Sequence, residues 1–417
     1  MPKQKITFKR LLSVLGPGLI TGASDDDPSG IATYTQVGAK FGTSLLWTAI
    51  LTFPLMAAVQ RMCARIGIVT TTGLTTTLKD HYPKWILYVM ILFSAPAIIL
   101  NIGADVAAMG AVMHLLIPVV PVAVYTVFFT ALLIAMIIWL PYQKIAAILK
   151  YLCIVLLIYF VLPFLTKQHW GKIMHDTFIP TFKADKEFIS MFVAILGTTI
   201  SPYLFYWQAT MEAEQIKQAM EKSDTTQIIA DARLDVNVGM LFSNLVMYFM
   251  ILTAGTILFK AGMHNIDTVK DAAKALEPLA GKFSYMLFAI GVIGTGLLTI
   301  PVLSGTLSYI CAETFGWKIG LDKKFWQAKP FYVVIVISMI AGLLINYTGL
   351  SPVQALVDTA ILYGVTAPVI IAVILHICNN KKIMGQHTNT KTDNGLGIIT
   401  LLLMTASAIF MLYYSFH

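Results

Sequence analysis

Apolar segments long enough to cross a bilayer recur along the whole chain, and this pattern limits the fold more than any other feature. The 417 residues are 57% apolar and only 12% charged. About 20 consecutive apolar residues are needed for a helix to cross the hydrocarbon core of a membrane. The sequence therefore predicts an all-α integral membrane protein surrounded by the lipid bilayer, and it excludes an ordinary soluble protein.

Eleven membrane spans are predicted, and together they form one polytopic domain over residues 1–417. The first span is expected to be uncleaved and leads directly into an acidic break, while residues 167–186 and 379–394 are polar connections. The predicted spans cover about residues 11–37, 44–67, 84–114, 119–140, 145–166, 187–215, 235–259, 283–313, 330–345, 352–378 and 395–414.

Two spans, the first and the sixth, are interrupted by a proline that follows a polar residue, at Asp27-Pro28 and Ser201-Pro202. Proline donates no helical hydrogen bond and disfavours helical conformation in the residue before it. The two spans are five apart and so cross the membrane in opposite directions, which is typical of inverted repeats that bind substrate where the breaks meet. The two repeats and one extra span are predicted to cover about residues 11–166, 187–378 and 395–414.

Positive charge determines the predicted topology. The formal net charge is +8, but the 29 Lys and Arg residues are spread over the connections, so nucleic acid is not an expected partner. With a cytoplasmic N-terminus, most of these residues fall on the inner side, in agreement with the positive-inside rule. We expect a multi-pass plasma-membrane protein with an external C-terminus and no obligate protein partner.

Three consecutive acids, Asp25, Asp26 and Asp27, interrupt the first span. A charge at bilayer depth costs several kcal/mol, so acids within a span indicate function. Asp27 is the candidate carboxylate ligand of a cation, and unwound backbone near Ser24 is expected to supply a carbonyl oxygen, because hard divalent cations prefer oxygen ligands. The structural alternative is that these acids cap a helix N-terminus or face an outer vestibule.

The second break contributes Thr198, Ser201 and Tyr203, which offer hydroxyl and carbonyl oxygens but no thioether or imidazole. We interpret these residues as the other half of the site; the alternative is that the Thr and Ser hydroxyls bond back to their own helix. Asp105, an acid inside the third span, is expected to support the ligands or to line the ion pathway.

Motifs for other chemistries are missing from the sequence. It contains no Walker A motif, no Gly-Xaa-Ser-Xaa-Gly elbow and no HExxH motif, so neither ATP-driven transport nor hydrolysis is supported. We predict that the chain is not an enzyme and has no resident cofactor. The cysteines stand alone within apolar segments and are predicted to be small buried hydrophobic residues; they are Cys63, Cys153, Cys311 and Cys378.

The two breaks resemble those of the Nramp family of divalent-metal transporters. Residues 27–30 read Asp-Pro-Ser-Gly where the family has Asp-Pro-Gly-Asn, and residues 197–203 read Gly-Thr-Thr-Ile-Ser-Pro-Tyr where the family has Gly-Ala-Thr-Val-Met-Pro-His. The resemblance implies the LeuT-like fold of amino-acid/sodium symporters and metal transport by alternating access. It also implies that Asp27 and the carbonyls of about Ser24 and Thr198 hold the metal.

The chain departs from the family pattern at three positions, two of which are ligand positions: Gly30 replaces Asn and Ser201 replaces Met, while Tyr203 replaces the His after the proline. Without the thioether, the site lacks the ligand that best distinguishes soft transition metals. Without the Asn side chain, more room is left for the waters that Mg²⁺ keeps when it is bound.

The positions associated with proton movement in the family also differ. The acids of the family's third span correspond to Ala104 and Ala107, and a further family His corresponds to Gln208. These changes resemble the Nramp-related magnesium transporters, in which proton coupling is lost. The residues expected to support the ligands or line the ion pathway are Asp25, Asp26, Gly30, Asp105, Tyr203 and Gln208.

The leading hypothesis is a divalent-cation transporter that favours Mg²⁺, also carries Mn²⁺ and does not couple transport to protons. Within the same class, the alternative is a proton-coupled Mn²⁺ or Fe²⁺ transporter that uses Asp105, Asp25 or Asp26 as a proton carrier. Alternatives from other classes are a cation-coupled symporter of a small organic solute and a membrane-embedded enzyme with a metal at the acid cluster.

Overall fold

The computed structural model describes residues 15–140, 144, 158–165, 167–218, 224–277 and 281–416, and within these ranges it contains helices and turns but no strand. The all-helical prediction is confirmed. In chain order the described α-helices, α1 to α17, are Pro17–Asp25, Pro28–Phe41, Trp47–Thr70, Leu74–His81, Lys84–Leu116, Val122–Trp139, Ile158–Leu165, Trp170–Phe178, Lys186–Thr199, Pro202–Gln218, Thr225–Ile257, Val269–Ala273, Ser284–Phe315, Lys329–Ile345, Pro352–Asn379, Lys381–Met384 and Lys391–Phe416.

Eight of the described helical segments are long and apolar enough to cross a membrane. They are α3, α5, α6, α9 together with α10, α11, α13, α15 and α17. Helix α14 is apolar but shorter, with 17 residues. The total of eleven spans stays a prediction, because α1 and α2 have only 9 and 14 residues and residues 145–157 and 166 of the predicted fifth span lie outside the described ranges.

The membrane span predicted at about 235–259 is part of a longer helix. Helix α11 begins at Thr225, where the Asp224 side chain caps it by accepting a hydrogen bond of 3.1 Å from the Thr226 amide. The polar connection 167–186 contains a short helix, α8. Asp176 of α8 is buried and accepts a hydrogen bond from the Thr43 hydroxyl, which holds this short helix against the turn between α2 and α3.

Small residues allow α1 to pack closely on α11. A Cβ atom on Gly22 would lie 2.2 Å from the carbonyl oxygen of Gly239, so no larger side chain fits at this crossing. Small residues at helix contacts are the usual means of close packing in membranes. Helix α9 packs on α15 in the same manner, where a Cβ on Gly197 would lie 1.9 Å from the Ala360 carbonyl oxygen. The two helices that precede a break, α1 and α9, are therefore packed with their backbones in close contact with a long helix, α11 or α15.

Helix α11 also fixes the beginning of α1. The Asp235 carboxylate accepts hydrogen bonds from the amides of Gly16, Gly18 and Leu19, at 3.0, 2.6 and 3.0 Å. The first amides of a helix have no partner within it, and a carboxylate at that end satisfies them while interacting favourably with the helix dipole. Helix α1 is thus held by α11 at its start and along its length.

Buried ion pairs join α17 to α3. Arg61 donates to Asp393 at 2.9 Å, and Arg65 donates to the other oxygen of the same carboxylate at 2.6 Å. Because the Asp393 side chain is fully buried, removal of either arginine would leave a poorly compensated charge.

The cysteines are not paired in disulfides, in so far as the structure describes them. Cys63 and Cys378 are buried and Cys311 is half-buried, and all three are free thiols. Their predicted role as small apolar residues fits this placement. Cys153 lies outside the described residues.

Candidate functional site

The first break consists of Asp26 and Asp27, between α1 and α2. A helical carbonyl accepts from the amide four residues later, and for Ser24 that residue is Pro28, which has no amide hydrogen. The Ser24 carbonyl is therefore released from the helix. Helix α1 extends to Asp25 and the unwound backbone begins at Asp26, so the Ser24 carbonyl is released by the proline and not by unwinding at Ser24 itself.

Asp27 caps α2 as the chain resumes its helical course. Its Oδ1 accepts a hydrogen bond of 2.6 Å from the Gly30 amide. The structural alternative of a helix cap is therefore correct for Asp27. A carboxylate oxygen has more than one lone pair, so this bond leaves acceptor capacity for a second partner.

The second break has the same construction. Ile200 and Ser201 separate α9 from α10, and Pro202 stands four residues after Thr198, whose carbonyl is released for the same reason. The Ser201 hydroxyl donates to the carbonyls of Gly197 and Thr198, at 3.1 and 2.8 Å. Ser201 thus bonds back to its own helix, as the alternative interpretation of this residue expects.

The structure brings the two breaks together. The Tyr203 hydroxyl donates a hydrogen bond of 2.9 Å to the Ser24 carbonyl, and Thr299 of α13 donates another of 3.1 Å to the same oxygen. A Cβ on Gly30 would lie 3.3 Å from the Thr198 hydroxyl oxygen. Ser24, Gly30, Thr198 and Tyr203 therefore meet in one buried region.

Asn101 of α5 belongs to this region and was missing from the sequence-based site. Its Nδ2 donates a hydrogen bond of 3.0 Å to Asp27 Oδ2. Asn101 stands four residues before Asp105, so both side chains lie on the same face of α5. The sequence signal that could have identified Asn101 is an amide side chain one helical turn from an acid within a membrane span.

Asp105 is fully buried, and neither of its carboxylate oxygens has a hydrogen-bond partner. It lies close enough to Asp27 for the two carboxylates to interact electrostatically. Ala104 and Ala107, the counterparts of the acids of the family's third span, are also buried and carry no titratable group. Asp105 is thus the acid of α5 next to Asp27.

Asp25 and Asp26 turn toward α11 instead. The Ser243 hydroxyl lies 2.8 Å from Asp25 Oδ2 and 3.3 Å from Asp26 Oδ1. Both acids are 1% exposed, so they do not face a vestibule in this conformation. That they support the ligands or line the ion pathway stays a prediction.

Gln208 lies at α1, away from the two breaks. It accepts a hydrogen bond of 2.6 Å from the Thr21 hydroxyl and donates one of 2.9 Å to the buried Glu212. Gln208 thus joins α10 to α1, where it can line a route along α1 but contacts none of the proposed ligands.

A cavity of about 640 Å³ approaches the site; we call it the α5–α15 cavity. Its wall includes Ala107 and Ala111 of α5, Val269 of α12 and Val353 of α15. Val269 and Val353 also line a much smaller apolar void together with Pro28, Ala108 and Leu356. The residues that the two spaces share therefore lead from the wall of the α5–α15 cavity to Pro28, the first residue of α2.

The site offers carboxylate, carbonyl, hydroxyl and amide oxygens. Among the residues that the structure describes, no group of three or more His, Cys, Asp or Glu side chains is arranged to hold a metal ion. A ligand bound here would depend on backbone and hydroxyl oxygens around Asp27. Oxygen ligands of this kind suit hard cations rather than soft ones.

A family model described as Nramp, natural resistance-associated macrophage protein-like, matches residues 18–414. The chain is 24% identical over 402 residues to a divalent metal cation transporter MntH of Caldanaerobacter subterraneus subsp. tengcongensis, and the match covers 94% of this chain and 91% of the relative. It is 25% identical over 407 residues to a divalent metal cation transporter MntH of Yersinia pestis, with 96% and 95% covered.

Solved structures share the fold. The manganese transporter of Eremococcus coleocola has a TM-score of 0.77 at 18% identity, over 99% of this chain and 89% of that one. Mhp1, a nucleobase-cation-symport-1 family transporter, has a TM-score of 0.60 at 12% identity, over 96% and 93%. These identities are low, so the likeness concerns the fold alone. The family match, however, covers nearly the whole chain and confirms both the resemblance to the Nramp family and the prediction that the chain is not an enzyme. The chain belongs to the Nramp family of membrane transporters.

Proposed function

We propose that this chain is a secondary transporter that moves divalent metal cations across the plasma membrane by alternating access, with Mg²⁺ favoured and Mn²⁺ also carried. Relatives with matches over more than nine-tenths of the chain are named divalent metal cation transporters. The names of these relatives support divalent-metal transport independently of the site. The proposed preference for Mg²⁺ depends on the residues around the two breaks.

The observation that carries the proposal is the pair of carbonyls that proline releases beside Asp27. Ser24 and Thr198 each stand four residues before a proline, and the Tyr203 hydroxyl joins the second break to the first. In the proposed site the Asp27 carboxylate and the carbonyls of Ser24 and Thr198 bind the cation, with the Ser201 hydroxyl as a further oxygen. The residues proposed around these ligands are Asp25, Asp26, Gly30, Asp105, Tyr203 and Gln208.

The preference for Mg²⁺ follows from two of the departures from the family pattern. Ser201 provides an oxygen where the family has a sulfur, so a soft metal gains no special ligand. Gly30 provides no amide ligand where the family has Asn, and a Cβ there would lie 3.3 Å from the Thr198 hydroxyl oxygen, so water would take the place of that ligand in a conformation more open than this one. Mg²⁺ dehydrates reluctantly and usually keeps several waters, so a site in which water replaces a protein ligand suits it.

Proton coupling is not part of the proposal, because Ala104 and Ala107 cannot carry protons. An inside-negative membrane potential contributes about 2.3 kcal/mol per elementary charge per 100 mV, which acts twice on a divalent cation. This driving force is sufficient to move the ion inward without a proton.

We further propose that the chain has eleven spans, built from a five-plus-five inverted repeat and one extra helix, with a cytoplasmic N-terminus and an external C-terminus. In this arrangement α1 with α2 and α9 with α10 form the two broken spans. Their packing supports the repeat, because α1 and α2 lie on α11 while α10 lies on α3, and spans two and seven are equivalent in such a repeat. The α5–α15 cavity then opens to the outside.

Calorimetry of Mg²⁺, Mn²⁺ and Cd²⁺ binding tests the proposed site. The purified wild type is expected to bind all three ions weakly and with little discrimination, and Asp27→Ala should lose the binding. The exposed Asp80 of α4 provides a matched control, because Asp80→Asn also removes one carboxylate. Much tighter binding of Cd²⁺ than of Mg²⁺ would contradict the oxygen-only site, and unchanged binding in Asp27→Ala would mean that the site lies elsewhere.

A further inference from the structure

Buried oxygen atoms that make no hydrogen bond of normal geometry collect beside Asp27. They include Oδ1 of Asn101, both carboxylate oxygens of Asp105 and the hydroxyl of Tyr363, whose side chains are 0 to 1% exposed. The polar groups close to them are the Ser29 amide, near Asp105, and the Asn101 side chain, near the Tyr363 hydroxyl. An unsatisfied buried polar group is destabilising, and native proteins avoid such groups or fill the gap with water or an ion. Several in one place therefore indicate that something polar belongs there.

Asp27 and Asp105 lie in the same small region. The backbone amide of Ser29 lies near both carboxylates, and both act electrostatically on the Tyr363 hydroxyl. The Asn101 side chain connects them, because its nitrogen donates to Asp27 and its helix position places it one turn from Asp105. Its unpartnered Oδ1 is bonded to the same carbon as that nitrogen, so it too lies next to Asp27.

No positive side chain compensates these two acids. Among the ion pairs that the described residues form, none includes Asp27 or Asp105. Two carboxylates that share a buried site repel each other strongly unless they share a proton or a cation lies between them. A divalent cation would neutralise both, whereas a monovalent one would leave a net negative charge.

We propose that Asp105 is the second carboxylate of the cation site, and that Asn101 is the positioning residue that holds Asp27 beside it. The inference rests on the proposed function and deepens it. It assigns the selection of divalent over monovalent ions to two acids, Asp27 at the cap of α2 and Asp105 in the middle of α5.

The face of α5 that carries Asp105 is turned toward the first break. Ala108 stands three residues after Asp105 and Asn101 four residues before it, so the three share one face of the helix. Asn101 donates to Asp27, and Ala108 lines a small void together with Pro28 and Leu356. Asp25 and Asp26 turn toward α11, where Ser243 lies within hydrogen-bond distance of one oxygen of each. Their other oxygens have no partner among the described residues, so these two acids add to the negative charge around Asp27.

The test is calorimetry of Mg²⁺, Mn²⁺ and Ca²⁺ binding to the full-length wild type, Asp105→Asn and Asp105→Glu, with Asp80→Asn as the control. Asp105→Asn keeps the shape and removes the charge, so all three affinities should fall by a similar factor of at least about ten. Asp105→Glu restores the charge and should recover most of the affinity. Asn101→Ala should also weaken binding, because it removes the hydrogen bond that holds Asp27 in place. It removes no charge, so with Asn101→Ala present Asp105→Asn should still bind more weakly than Asp105→Glu.

The inference is overturned if Asp105→Asn binds the ions as tightly as the wild type does, or if Asp105→Glu binds as weakly as Asp105→Asn. Thermal unfolding of each variant separates loss of binding from loss of fold. Failure of the proposed function gives a different pattern, in which the wild type binds none of the ions or Asp27→Ala binds them normally. One pattern rejects only the role of Asp105. In it, the wild type and Asp105→Asn bind the ions equally well, and Asp27→Ala does not bind them.

Discussion

The Tyr203 hydroxyl donates its hydrogen bond to the Ser24 carbonyl across 2.9 Å, from the beginning of α10 to the end of α1. Thr299 donates to the same oxygen at 3.1 Å, so both lone pairs of this carbonyl are engaged. A cation that uses the Ser24 carbonyl must therefore displace at least one hydroxyl. The family's imidazole at position 203 is replaced by a hydroxyl that joins the two breaks and that would compete with an ion for the Ser24 carbonyl in the proposed site.

Tyr203→Phe should bind Mg²⁺ more tightly than the wild type does. The change keeps the ring and removes the donor, so binding no longer costs the hydrogen bond to Ser24, which contributes about 0.5–1.5 kcal/mol, or roughly two- to tenfold in affinity. Calorimetry measures the change. Thr299→Val removes the second donor and should act in the same direction. Weaker binding in Tyr203→Phe would instead mean that the Tyr203 hydroxyl is itself a ligand.

Gly30→Asn combined with Ser201→Met should shift the preference from Mg²⁺ toward Mn²⁺ and Cd²⁺ by at least about tenfold, because it restores the thioether and fills the space for water. Competition between these ions during uptake measures the shift. A Cβ at position 30 meets Thr198, Tyr34 and the Asp25 carbonyl at 3.3–3.4 Å, so Gly30→Ala is the control for crowding. An unchanged order of ions in the double variant would show that positions 30 and 201 do not set selectivity.

The pH dependence of stability should include a contribution from Asp176, which lies in α8 outside the membrane-spanning helices. Burial raises the pKa of this carboxyl, but hydrogen bonds from Lys172, Thr43 and His175 outweigh burial and hold the pKa below its ordinary value of 3.8. A group with a lower pKa in the folded state stabilises the fold above the unfolded pKa and loses this effect as the pH falls through the folded value.

The difference in melting temperature between wild type and Asp176→Asn should therefore be greatest near neutral pH and should disappear as the pH falls below about 4. Thermal unfolding of the detergent-solubilised protein at a series of pH values measures it. A difference that is the same at every pH would show that Asp176 acts through packing rather than through its charge.

The two breaks were predictable from local chemistry. A missing amide at Pro28 or Pro202 has the same consequence in any helix, so the released carbonyls of Ser24 and Thr198 follow from the sequence alone. The cap at Asp27 is equally local, since it needs only the amide of Gly30. These features depend on residues within one turn of each other.

The remaining contacts depend on which helix faces meet, and the sequence carries little information about this. Helices α5 and α11 are apolar over most of their circumference, so hydropathy does not reveal which face lies against α1 and α2. The contacts of Asn101 with Asp27 and of Ser243 with Asp25 arise from that packing. The start of α11 at Thr225 was missed for a related reason, because its first turns are polar and lack the hydropathy of a span.

The central claim is tested most directly by ion uptake into proteoliposomes. The vesicles have an inside-negative potential and contain a Mn²⁺ indicator and a pH indicator. We predict that Mn²⁺ enters, that Mg²⁺ competes with it, that the lumen does not acidify, and that Asp27→Ala abolishes entry. Mn²⁺ uptake without competition from Mg²⁺, or acidification that depends on the metal, would contradict an uncoupled magnesium transporter.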